Sequence, residues 1–262
     1  MRLKTVALAG ALLASMVLAN SAQAGSIIGL VDGKTIVTID PATRKVIGSA
    51  DIKGTSGPLL GVDVRPADGL LYGVTADGSI VTVDHKTGQT TAKSKIAEMI
   101  KATSNVTFDF NPAADRLRLM SSDGTSLRIN VDDGKVTVDG SHKFKEGDTN
   151  AGKTPKVVAG AYSNSLNPKP AATALYNIDA TTWSLVSQAP PNDGVLNTIG
   201  SLGIAATSPV AFNIVASAGD KNDAWLATGG NLYSVDLKTG KATLTGKLEG
   251  VNGKLTDIAW MD

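Results

Sequence analysis

Short apolar runs alternate with polar turns along this chain, most regularly from Gly57 to Ile96. Leu59, Gly61 and Val62-Asp63-Val64 form an extended run that stops at Arg65-Pro66, where proline has no N–H for a ladder. Ala67-Asp68-Gly69 reads as a turn, since glycine takes positive φ without strain. Leu70 to Val74 predicts a second strand, closed by the hairpin signal Asp77-Gly78. Ser79 to Val83 predicts a third, ending in Asp84-His85-Lys86-Thr87-Gly88, an Asp-to-Gly type I turn. QTTAKSKI supplies a fourth. The second and third strands are apolar on both faces, which suits strands covered from both sides.

The rest of the chain reads as imperfect copies of this unit. The third strand and its turn recur as TIVTIDPATRK, SIVTVDHKTGQ, SLRINVDDGKV, ALYNIDATTWS and NLYSVDLKTGK. Their turn-opening residues Asp40, Asp84, Asn130, Asp179 and Asp236 are spaced by 44, 46, 49 and 57 residues. That is near the ~40–50 residue period of propeller blades. The first strand recurs as LLGVDVRP, VTFDFNPAAD, KVVAGAYSNS and VAFNIVASAGD, then as KLTDIAWMD at the C-terminus. The first unit lacks a leading strand, and the last strand has nothing after it. The simplest reconciliation is an all-β, five-bladed β-propeller-like ring closed by the C-terminal strand, which also removes exposed sheet edges. A two-sheet sandwich or a distorted propeller is the alternative, because the fourth unit is irregular. SNSLNPKPAA is not strand-like, and an extra PPNDGVLNTIGSLGI follows. Only SKIAEMIKA, from Ser94 to Ala102, has helical composition, and Lys143 to Pro155 is the longest polar loop.

Residues 1–24 stand outside this pattern. Arg2 and Lys4 precede an apolar stretch from Val6 to Leu18, and Ala22-Gln23-Ala24 has the small-x-small form of a cleavage site. This predicts a signal peptide cleaved after Ala24, a single domain over residues 25–262, and export to the periplasm or the extracellular medium. No apolar run is long enough for stable membrane insertion. The 25 Lys and Arg against 24 Asp and Glu argue against nucleic acid as a partner. There is no cysteine, hence no disulfide despite the expected oxidising address.

VTFDFNPAADRLRLMSSDGTSLRINVDDG, EGDTNAG, VVAGAYSNS, ALYNIDATTWSLVSQAPPNDG and VLNTIGSLG together resemble a family of exported bacterial proteins classed as a domain of unknown function. The joint occurrence of FDFNP, RLRL, LRIN, GDTNAG and PPNDG carries the resemblance. It implies a secreted, propeller-like, repeat-built domain and brings no activity with it. Some family members resemble surface proteins with a C-terminal sorting tail. This sequence ends at Asp262 without one, so a soluble form is expected.

Candidate chemistry is sparse. His85 and His142 read as solvated turn residues without paired metal-ligand spacing. No nucleophile motif or phosphate loop occurs. Asp63, Asp109 and Asp257 fall at matching positions on the predicted innermost strands. If they converged they would hold a cation such as calcium, or act on a sugar as an acid/base pair. The structural reading, a backbone partner for each, is the favoured one. Asp132, Asp133 and Asp139 read as turn residues, and Trp183, Trp225 and Trp260 as core. In the third unit Arg116 and Arg118 replace the bulky Leu70 and Tyr72 of the template, beside Arg128 and Asn130 on the next strand. Guanidinium groups so placed need an anion or a carboxylate between them, and Asp148 and Asn150 are the expected partners. These six residues form the candidate site for a small polar or anionic ligand; the competing reading is a structural ion-pair network. The functional expectation is an exported binding or scaffold module, its ligand a small polar molecule, an anion or a surface glycan. The alternative is a hydrolase using the channel carboxylates, with a divalent metal.

Overall fold

The structure is a computed structural model that describes residues 25–97, 106–217 and 221–262. The strands follow in chain order, blade by blade. β1 (Ser26–Val31), β2 (Thr35–Ile39) and β3 (Val46–Asp51) belong to blade one. Blade two is β4 (Leu59–Val64), β5 (Leu71–Thr75), β6 (Ser79–Val83) and β7 (Thr90–Lys95). Blade three is β8 (Val106–Asn111), β9 (Arg116–Ser121), β10 (Ser126–Ile129) and β11 (Val136–Val138). β12 (Lys143–Phe144) then crosses to the outer edge of blade four. Blade four continues with β13 (Val157–Tyr162), β14 (Leu175–Asp179), β15 (Ser184–Gln188) and β16 (Val195–Ser201). Blade five is β17 (Val210–Ser217), β18 (Lys221–Thr228), β19 (Asn231–Val235) and β20 (Ala242–Lys247). β21 (Leu255–Met261) returns to pair with β1 as the innermost strand of blade one. The five sheets form a β-propeller, and the C-terminal strand closes it.

Local chemistry accounts for the hairpins. Each turn-opening side chain accepts a backbone N–H from the turn that follows. Asp40 Oδ1 takes the N–H of Thr43 at 2.7 Å, Asp84 Oδ1 that of Lys86 at 2.8 Å, and Asn130 Oδ1 that of Asp132 at 3.1 Å. Asp179 Oδ2 takes that of Thr182 at 2.8 Å and Asp236 Oδ1 that of Lys238 at 2.8 Å. The Gly88 position shows why glycine closes such turns. Its φ is +71°, and a Cβ there would lie 2.0 Å from the Asp51 carbonyl oxygen of the neighbouring blade.

The apolar core lies between blades, one cluster at each interface. Tyr72, Ile80, Phe108 and Leu117 fill the interface of blades two and three, with Tyr72 edge-on to Phe110 at 5.3 Å. Between blades three and four the apolar cluster includes Met120, Phe144, Tyr162 and Leu196. Of the residues that blade three's own strands contribute there, Met120 alone is apolar and buried, and the remaining space is taken by a polar network described below.

Several sequence expectations change. PPNDGVLNTIGSLGI is not an insertion: Pro191–Asp193 is a 3-10 turn leading into β16, the fourth strand of its blade. Ser94 and Lys95 of the expected helix belong to β7, paired with β6, while residues 98–105 lie outside the described residues. The three tryptophans are half-buried rather than core. The expected leader, residues 1–24, also lies outside the described residues. Among the described residues no helix is long and apolar enough to cross a membrane.

Candidate functional site

The innermost strand of a blade is an edge strand, so its inward N–H groups need acceptors that no neighbouring strand supplies. The three aspartates fill that role from blade to blade. Asp257 Oδ2 accepts the N–H of Val62 at 2.9 Å, Asp63 Oδ2 that of Phe110 at 2.8 Å, and Asp109 Oδ1 that of Tyr162 at 2.8 Å. All three side chains are buried. Burial pushes the Asp63 carboxyl up to about 7, with Phe110, Val64 and Asn213 hydrogen bonds opposing. Burial and then the neighbouring Asp63 and Asp257 charges raise Asp109, and burial followed by the Asp63 charge raises Asp257. The three carboxyls are therefore close enough to feel one another's charge, yet each is committed to a backbone amide of the next blade. Among the described residues no group of three or more His, Asp or Glu is arranged to hold a metal ion. The hydrogen bonds match the favoured structural reading of Asp63, Asp109 and Asp257, a backbone partner for each, and not the alternative of a calcium cage, because one oxygen of each is directed at a different blade.

A cavity of about 330 Å³ opens at the axial mouth where β4, β17 and β21 end. Asp63 and Asn213 form its polar floor, and Ile214, Trp260, Met261 and Asn167 are on its walls. The Trp260 indole N–H donates to Asp262 Oδ1 at 2.9 Å. Gly25 lies flat against the same indole, where a Cβ would approach within 2.4 Å.

The blade-three arginines lie elsewhere. β8 and β9 pair Asp109 with Arg118, as β4 and β5 pair Asp63 with Tyr72, so Arg118 does occupy the template tyrosine's place. It is 1% exposed. Its Nε donates to Tyr162 Oη at 3.1 Å, Nη1 to Ser126 Oγ at 3.0 Å and to Asp139, and Nη2 to Asn192 Oδ1 at 2.9 Å. Arg128 Nε donates to the same Asp139 oxygen at 2.7 Å. The shared carboxylate is thus Asp139, not Asp148. Asp148 instead accepts the N–H and Oγ1–H of Thr198, both at 2.7 Å, and Asn150 Nδ2 donates to Thr198 Oγ1 at 3.0 Å. Asp148 and Asn150 pin the polar loop to β16. Arg116 is exposed and bonds the Asp115 carbonyl at 2.7 Å. Arg116, Arg128 and Asn130 still share one surface cleft, whereas Arg118 is sealed beneath it.

Sequence reasoning missed a second clamp. Arg65, ending the first strand of blade two, meets Asp115 at 2.6 Å, Asp132 at 2.9 Å and Asp68 at 3.2 Å. Two of those carboxylates belong to blade three, so Asp132 is an inter-blade partner rather than a turn residue alone. His142 is buried, its Nε2 3.2 Å from Met120 Sδ, and burial with the Arg118 charge pushes it down to about 4; it is not a solvated turn residue. Asn213 lies on an inner strand at the level of the aspartates, but the unlike residue type hid it in the sequence comparison.

Fold and site together define a closed five-bladed β-propeller, stitched from blade to neighbouring blade by buried carboxyls, with one mouth hollowed into a pocket. The model of the family described as "Domain of unknown function (DUF4394)" matches residues 35–259, and the chain belongs to that family. No curated protein matches the sequence. Among solved structures, a protein of unknown function from Bacteroides caccae is similar at 12% identity and a TM-score of 0.43, over 86% of this chain and 73% of that one. The computationally designed Ika8 protein is similar at 16% identity and a TM-score of 0.39, over 88% and 61%. The dihydro-heme d1 dehydrogenase NirN, in complex with DHE, is similar at 13% identity and a TM-score of 0.41, over 86% and 44%. Likenesses this remote carry no argument about ligand or activity.

Proposed function

We propose that the protein is an exported binding module that takes a small hydroxyl-bearing ligand, such as one sugar unit of a surface glycan, at the axial mouth. The observation that carries this reading is the composition of the cavity: a buried Asp63–Asn213 floor for hydrogen bonds and a Trp260 wall for apolar contact. A concave site with few fixed polar groups and an aromatic side is the usual form of a small-molecule pocket. The signal-peptide pattern of residues 1–24 supports the exported address. One observation favours the hydrolase alternative, the near-neutral Asp63 carboxyl on the cavity floor. A two-carboxylate mechanism needs a second catalytic group facing the same bond. Asp109 and Asp257 do not line the cavity, and Asp262, which does, is exposed and accepts the Trp260 indole proton. Binding is therefore the reading that fits better.

Calorimetric titration against a panel of mono- and oligosaccharides tests it. At least one member should bind saturably, and Asn213→Ala should weaken it tenfold or more while the melting transition persists. Absence of binding across the panel, or equal affinity in the variant, would overturn the assignment.

A further inference from the structure

The blade-three arginine row has an exposed end outside the buried network. β9, β10 and β11 are in register so that Arg118, Arg128 and Thr137 lie side by side on one rung. The Asn130 N–H donates to the Lys135 carbonyl at 2.9 Å just beyond β10, and continuing the β9–β10 register by one residue past Ile129–Leu117 sets Arg116 opposite Asn130. Residues two apart on a strand share a face. Arg116, Arg128, Asn130, Lys135 and Thr137 thus converge, and they line a cleft of about 220 Å³.

Its charge is not balanced. The buried Asp139 carboxylate is divided between Arg118 and Arg128. Arg128 engages it through Nε alone, and among the described residues its Nη atoms donate to no protein acceptor. Arg116 has no carboxylate partner within ion-pair distance among the described residues; Lys135 has one, Asp133 at 3.1 Å, in an exposed pair. Exposed pairs of that kind contribute little and exchange readily. Four cations therefore meet two carboxylates, with an amide and a hydroxyl beside them. Planar guanidinium donors of this kind match the oxygens of phosphate, sulfate or carboxylate.

We propose that this cleft is an oxyanion-binding site, separate from the axial mouth. The ligand group is a phosphate, sulfate or carboxylate, held by the Nη atoms of Arg128, the Arg116 guanidinium and Lys135. The test titrates inorganic phosphate, sulfate and malonate into the folded protein at constant ionic strength, with chloride as reference, following backbone amide NMR shifts. Saturable shifts are expected at Arg116, Asn130 and Thr137 with at least one anion. The arm that binds most tightly identifies the source: a tetrahedral phosphate or sulfate ester, or an acidic sugar carboxylate. Arg116→Gln/Lys135→Gln, which touches only exposed side chains, should keep the parent melting temperature and weaken binding tenfold or more. Asn213→Ala, in the axial mouth, should leave it unchanged. Linear, unsaturated shifts with all three anions, or unaltered affinity in the double variant, would overturn the proposal.

Discussion

Asp139→Ala tests how the two blade-three arginines are held at the interface of blades three and four. The Asp139 carboxylate is 4% exposed and binds two arginines, one of them 1% exposed. Asp139→Ala leaves the Arg118 guanidinium inside the protein with neutral acceptors only: Tyr162, Ser126 and Asn192. Breaking a buried pair by removing one partner costs roughly 3–5 kcal/mol, a large share of the ~5–15 kcal/mol that holds a typical domain together. Arg128→Ala removes a side chain that is a third exposed, and should cost less than about 1 kcal/mol. Arg118→Met together with Asp139→Ala removes both buried charges, and should cost less than Asp139→Ala alone, because no charge is stranded. Asp148→Ala breaks a different set of contacts, to Thr198, and should add to Asp139→Ala within roughly 0.5 kcal/mol. Urea denaturation of the parent and the five variants, the Asp139→Ala/Asp148→Ala double among them, at one pH measures all of these. If Asp139→Ala lies within about 1 kcal/mol of the parent, the buried guanidinium is not held as described and the reasoning fails.

Three other outcomes follow from the same geometry. Deleting residues 254–262 removes β21, its pairing with β1 and the buried Ile258, so the truncated protein should unfold or aggregate; a monomeric product with the parent melting temperature would contradict closure. Asp63 is raised to about 7, so between about pH 4 and pH 7 the unfolded chain has released a proton that the folded protein retains. The Asp63 contribution to stability should therefore fall as pH rises through that window, by roughly 2–4 kcal/mol, while His142, pushed down to about 4, contributes in the opposite sense below about pH 6.5. The stability of the parent relative to Asp63→Asn should accordingly fall from about pH 4.5 to 7.5, and denaturation curves in which that difference stays constant or rises would refute it. At Gly61 an added Cβ would lie 2.4 Å from Phe108 Cβ and 2.9 Å from Asp257 Oδ2. Gly61→Ala should cost roughly 1–3 kcal/mol by overpacking, read from the denaturation midpoint.

The sequence by itself determined most of the strands and turns and their order; β12, inside the expected polar loop, and β16, read as an insertion, were the exceptions. Alternation with a period of two, Asp-to-Gly turns and an unpaired strand at each end are local or additive features, legible without knowing how blades are disposed. They placed Arg118 on the template's tyrosine position, and they put Asp63, Asp109 and Asp257 on inner strands. Only the tertiary structure decided what those side chains meet. Asp139 and Asp148 both follow Arg128 at short range, and nothing local distinguishes them; the path through β12 to blade four brings Asp139 under the arginines and carries Asp148 to β16. The Arg65 clamp joins residues 50 and 67 positions apart, on turns of two blades. His142 is buried against Met120 because the chain crosses between blades there. The mouth pocket draws on blades one, two, four and five at once. Contacts across blades depend on the rotation from one sheet to the next and on the level of each strand along the axis. Those quantities are set by packing of the whole ring and have no signature in any single segment.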